Sequence, residues 1–119
     1  MTIQYPDHWR GTVVPWLDII LFVREYVQHG RSLMMLMGDI DVFQFAAFVN
    51  GIEFCRCCSD ATDGEGAEFL EFVRSREGAP AGGWAKKFLA EANGDHLSAI
   101  QRFLDYAYEF AQTRRSDNT

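Results

Sequence analysis

The sequence has few cysteines, no long apolar run and no cluster of bases. Its three cysteines, Cys55, Cys57 and Cys58, all fall within four residues. Thiols so close together make a poor disulfide framework, and a reducing compartment would keep them as thiols. The longest apolar runs, residues 19–23 and 33–37, are far too short to cross a bilayer. The opening MTIQYPD has neither a basic n-region nor an apolar h-region, so a signal peptide is not expected. These absences lead to the expectation of a cytoplasmic protein without a membrane partner.

Bases are outnumbered, 11 Lys and Arg against 17 Asp and Glu, for a net charge of −6. The imbalance sits in the middle third. Residues 39–71 hold eight acids and a single base, Arg56, whereas the flanking thirds are close to neutral. Nucleic-acid binding needs clustered Lys and Arg to displace counterions, so no nucleic-acid partner is expected. A basic protein partner would be attracted to this segment. The plainer reading is a solvated acidic face that aids solubility.

Histidine is also scarce. His8, His29 and His96 are scattered, and there is no second cysteine pair. Cys55 and Cys58 form a C-x-x-C pair, but a redox site of that kind sits at a helix N-terminus, and this one falls at a helix end. A structural zinc site needs four ligands. Cys55 and Cys58, one helical turn apart, are therefore expected to pack as small buried hydrophobes, with Cys57 turned elsewhere. The loop that follows does not fit a calcium pattern starting at Asp60, because its fifth position is Gly64 and its sixth is Glu65. G-x-S-x-G, phosphate-loop and H-E-x-x-H signatures are missing. Asp95-His96 reads as an N-cap and a first-turn residue. No catalytic residue, metal site or cofactor is expected.

What remains is helix. A chain of 119 residues with 48% hydrophobic content suits one domain spanning 1–119. Residues 1–12 read as a polar, aromatic arm. Pro15 suits the first turn of a helix whose broad stripe includes Leu17, Ile19, Ile20, Leu21, Val23, Arg24, Tyr26 and Val27, stopped by Gly30. Residues 32–37 suggest a short helix, and Asp39 an N-cap for the next. Residues 40–58 are ambiguous. Asn50-Gly51 between apolar runs is a hairpin signal. Val42, Phe45, Val49, Ile52 and Cys55 instead share one face of a helix, and the helical neighbours favour that reading. Residues 59–66 read as a loop. Residues 67–76 read as a helix with Phe69, Leu70, Phe72 and Val73 inward, and 84–93 as a short helix. Asp95 caps a last helix carrying Leu97, Ile100, Phe103, Leu104, Ala107, Phe110 and Ala111. Residues 113–119 read as a polar tail. The expected fold is all-α, a compact single-domain bundle of five to six helices with short loops.

Four stretches carry a resemblance: DVFQFAAFVNGIEFC at 41–55, EFLEFVR at 68–74, GWAKKFL at 83–89 and GDHLSAIQRFLDY at 94–106. Together, over about residues 38–112, they resemble a loosely defined group of small, acidic, all-helical bacterial proteins encoded beside secreted or contact-delivered toxins. Members of that group are regarded as immunity proteins for those toxins. The resemblance implies a non-enzymatic protein that neutralises a cognate toxin by direct binding, and it transfers no catalytic residue. The toxin domain would be basic.

On this reading Asp39, Asp41, Asp60, Asp63, Glu65 and Glu68 would steer the partner, and Trp9 and Trp84 would anchor it. As loop residues, Asp60, Asp63 and Glu65 are expected to tolerate charge reversal within about 0.5 kcal/mol per site. The rival expectation is a small-ligand or regulatory helical bundle, homodimeric through the apolar run at 33–37. An enzyme ranks third.

Overall fold

The last helix organises the core. The computed structural model describes residues 5–30, 38, 40–60 and 63–117, and the side chains of 115–117 lie outside that description. After a short 3-10 turn at Asp7–Trp9 come α1 (Trp16–Gln28), α2 (Val42–Cys58), α3 (Glu65–Glu77), α4 (Gly83–Glu91) and α5 (His96–Asp117). There is no strand among the described residues. The bundle is all-helical, and the segment containing Asn50-Gly51 is helix throughout.

α5 touches each of the other four helices. It buries Ala99, Ile100, Phe103, Leu104, Ala107, Phe110 and Ala111 at helical spacing. Phe103 lies at the centre, with ring centroids 5.3 Å from Phe45, 5.0 Å from Phe69 and 4.4 Å from Trp84. These contacts bring α2, α3 and α4 onto the same spine. α1 lies along α5 and buries Trp16, Leu17, Ile20, Val23 and Tyr26.

Several boundaries differ from expectation. Pro15 is the N-cap of α1 and not a first-turn residue. α2 is capped by Asp41, whose Oδ1 accepts from the amides of Phe43 (2.8 Å) and Gln44 (3.1 Å). Asp39, the expected cap, lies outside the described residues, as do residues 31–37 with their apolar run and proposed short helix. α3 starts at Glu65, two residues early, and Leu70 on it is exposed. Leu97 is exposed as well, because it is in the first turn of α5, ahead of the packed stretch that begins at Ala99. Residues 113–117 continue α5 instead of forming a tail.

Asp95 caps α5, bonding the Ser98 amide (3.2 Å) and hydroxyl (2.9 Å). Gly94, at φ +86°, closes α4 by donating to Leu89 O (2.9 Å), a reversal that suits glycine. His96 Nδ1 accepts the Val42 amide at 3.0 Å, which ties the start of α5 to the start of α2.

The end of α3 is fastened by Glu77. Its carboxylate accepts from Lys87 Nζ (2.8 Å), Tyr106 Oη (2.6 Å) and Arg102 Nη2. Arg102 also lies over the Phe88 ring and pairs with Glu91. One carboxylate thus links α3, α4 and α5. The bonds from Lys87, Tyr106 and Arg102 overcome burial and hold the Glu77 carboxyl down at about 2.

Candidate functional site

The acidic loop is used by the fold itself. Helix α1 begins at Pro15, which offers no side-chain acceptor to the first amides. Those amides are satisfied from the loop that follows α2 and from the first residue of α3. Asp63 Oδ2 accepts the Trp16 amide at 3.0 Å, and Glu65 Oε1 accepts the Leu17 amide at 2.9 Å. Arg56, on the last turn of α2, is buried. It donates to Asp63 Oδ2 at 2.7 Å through Nη2 and to Val14 O through Nη1. Negative side chains at a helix N-terminus also complement its dipole. The result is a polar latch joining the start of α1, the end of α2 and the start of α3.

The two latch carboxylates respond differently to burial. For Asp63 burial alone would raise the pKa, but the Trp16 and Glu65 amides and the Arg56 charge outweigh it and hold the carboxyl below its usual range. For Glu65 burial dominates and the Asp63 charge adds to it, so its carboxyl sits above its usual range.

This corrects the picture of a solvated acidic loop. Asp63 is paired with Arg56, and Glu65 and Glu68 both face Arg114 of α5. Glu71 pairs with Arg74 one turn along α3, and Asp41 is occupied as a cap. Asp60 is exposed, with no ion pair among the described residues. The bases of the C-terminal third thus neutralise acids of the middle third. Tolerance of charge reversal is expected at Asp60 and not at Asp63 or Glu65.

Beside the latch is a cleft. α2 packs on α4 and α5, and α3 packs on α1 and α5, so α2 and α3 barely touch each other. The gap between them is a mostly apolar cleft of about 170 Å³. Trp16, Val49 and Trp84 line it, with Glu53 on one wall and Leu70 on the other. Trp84 is half-buried and packed on the core, whereas Leu70 is 39% exposed. Gly66 closes the α3 side. A Cβ there would come within 2.9 Å of Glu53 Oε2 and 3.3 Å of Trp16 Cε2, so the absence of a side chain lets α3 approach the indole. Nothing in the spacing around Gly66 sets it apart from other loop glycines. Trp9, the other expected anchor, is also half-buried and packs against Phe22 of α1 at 5.3 Å between ring centroids.

Cys55, Cys57 and Cys58 are all exposed, which corrects the expectation that Cys55 and Cys58 are buried. The inward stripe of α2 runs Val42, Phe45, Val49, Ile52 and then Arg56. Steps of three and four fit either residue 55 or residue 56 at its end. Arg56 takes the inner position because Val14 O and Asp63 await its guanidinium there. Cys55→Ser is therefore expected to change the unfolding free energy by less than about 0.5 kcal/mol. All three thiols should react rapidly with a thiol reagent in the folded protein, and slow reaction at Cys55 would contradict its exposure.

Among the described residues, no group of three or more His, Cys, Asp or Glu side chains is placed to hold a metal ion. No helix among them is long and apolar enough to cross a membrane. Compared with protein-family models, with curated proteins and with solved structures, the chain matches none.

Proposed function

We propose that the chain is a non-enzymatic binding protein of the immunity type, which neutralises a cognate bacterial toxin in the cytoplasm by direct contact through the cleft between α2 and α3. The observation that carries this reading is the size and lining of that cleft. At about 170 Å³ it is smaller than the roughly 300–1,000 Å³ of pockets that enclose drug-sized ligands. It is suited to one or two apolar side chains of a partner, with tryptophan on its walls, the kind of setting in which interface energy concentrates. The finer identity, toxin neutralisation, rests on the resemblance of about residues 38–112 to immunity-type proteins. The net charge of −6 would speed encounter with a basic toxin domain even though most acids of the middle segment are internally paired.

Leu70 is the residue to test, since it lines the cleft yet is exposed enough to spare the core. Co-expression with the product of the adjacent reading frame should give a complex that is recovered by pull-down and should rescue growth. Leu70→Glu should abolish both while leaving the circular dichroism melting curve close to that of the unmodified chain. If the unmodified chain neither binds nor rescues, the immunity reading fails. The apolar lining of the cleft then favours the alternative, a small-ligand or regulatory bundle, which a thermal shift on adding small apolar compounds would reveal.

A further inference from the structure

Helix α2 turns its charges the opposite way from an ordinary surface helix. Such helices present charge to water and apolar side chains to the core. The acidic and basic residues of α2 are Glu53 and Arg56 alone; Arg56 is buried and Glu53 half-buried. Its outward residues include Phe43, Ala47, Asn50, Gly51, Phe54 and Cys58, with no carboxylate or base along a helix of 17 residues, about 25 Å long. Phe43 is 49% exposed and Phe54 is 69% exposed. A Cβ built on Gly51, between them, would meet no atom within 4 Å, so the described chain leaves this face open. The other four helices all present charge outward: Asp18 and Glu25 on α1, Glu68 and Glu71 on α3, Lys86 and Glu91 on α4, and Asp105 on α5.

We propose that the outer face of α2 is a two-fold contact between two copies of this chain, with the two α2 helices antiparallel. Two features select a second copy as the occupant. The first is charge. Two chains of net charge −6 repel, and a stable contact between them favours a surface free of acids, which among the five described helices α2 alone provides. A basic partner would instead be matched by an acidic face. The second is spacing. Phe43, Ala47, Asn50 and Phe54 follow one another at steps of four, three and four, the seam of a helix pair, and that series reads the same in both directions. A two-fold axis across the middle of α2 therefore sets Phe43 against Phe54 of the partner subunit and Ala47 against Asn50 of the partner subunit. Large side chains meet at the two ends of the contact, and small ones in the middle allow the helices to approach. The same patch serves both copies, as a closed dimer requires. A parallel pair would align the two helix dipoles, whereas the antiparallel pair opposes them. This surface adjoins the α2/α3 cleft at Asn50 but does not depend on it.

The test is sedimentation equilibrium on the full chain and two variants. The unmodified chain should dimerise. Phe54→Glu should weaken the dimer by about 100-fold or more, because the substitution occurs twice in a two-fold contact and each lost aromatic anchor contributes about tenfold or more. Its melting curve at low concentration should match that of the unmodified chain, since Phe54 is outside the core. Phe43→Lys combined with Phe54→Glu should recover at least about tenfold of the loss at low salt, because the antiparallel pair sets lysine against glutamate at both ends. An unmodified chain that stays monomeric up to about 1 mM, where even weak specific dimers form, would overturn the proposal. So would a monomer that binds lipid vesicles instead, a dimer indifferent to Phe54→Glu, or a double variant no tighter than Phe54→Glu alone.

Discussion

Asp63→Ala is expected to lower the unfolding free energy by about 3 kcal/mol, the low end of the loss when one partner of a buried ion pair is removed. The figure combines three losses. Arg56 keeps its buried position but loses the carboxylate 2.7 Å from its Nη2. The Trp16 amide loses its acceptor at the start of α1. The dipole at the start of α1 loses one of three negative partners, leaving Asp18 and Glu65. Low exposure of the Arg56 side chain, 9% against 27% for Asp63, makes water a poor substitute partner. A domain of this size is stable by only about 5–15 kcal/mol, so the change should be plain in a urea titration. Asp60→Ala, three residues earlier, should shift stability by less than about 0.5 kcal/mol. Equal effects at the two positions would mean that the latch does not form.

Acid should remove the second large contribution. Glu77 has its carboxyl pulled from the usual 4.5 to about 2 by bonds from Lys87, Tyr106 and Arg102. Its side chain is 9% exposed, so water screens these bonds little. A folded-state pKa below the unfolded value means that the unfolded chain takes up the proton first as the pH falls. The stabilisation is fully present above about pH 5 and is lost between about pH 5 and 2. It amounts to about 3 kcal/mol. Glu77→Gln should thus be destabilised at neutral pH, and the gap to the unmodified chain should close towards pH 2. Asp63, with its pKa also lowered, contributes in the same direction, and Glu65, raised, in the opposite one. Comparison of the unmodified chain with Glu77→Gln at each pH cancels both. A gap that stays constant down to pH 2 would contradict the network.

The helices were legible because their apolar spacing is regular and their ends are marked. Asp95 and Gly94 bound the start of α5, and the stripe from Val42 to Ile52 outweighed the hairpin signal at Asn50-Gly51. The last turn of α2 was misread because spacing cannot choose between Cys55 and Arg56. Hydrophobicity favours the thiol, and only the position of Val14 O and Asp63 in space reverses the choice. The acidic loop was misread for the same reason. The partners of Asp63 and Glu65 lie about 47 residues away, at amides whose exposure depends on Pro15 being an N-cap without an acceptor. The cleft left no trace in the sequence. It exists because α2 and α3 lean on different neighbours, and Gly66 looks like any loop glycine until Trp16 is seen beside it.

The placement of α1 also bears on how the chain folds as it is synthesised. α1 leaves the ribosome before α5, on which it rests, and its opening amides await Asp63 and Glu65. At about 5–20 residues per second, some 5–20 s separate the emergence of α1 from that of the full α5. Throughout that interval Leu17, Ile20 and Val23 lack the α5 surface that completes their cover, and α1 is too short to be more than marginally helical alone. The nascent chain therefore carries a partly uncovered apolar segment throughout that interval, a natural landing place for a holding chaperone, and this part of the native structure closes late, when α5 reaches α1.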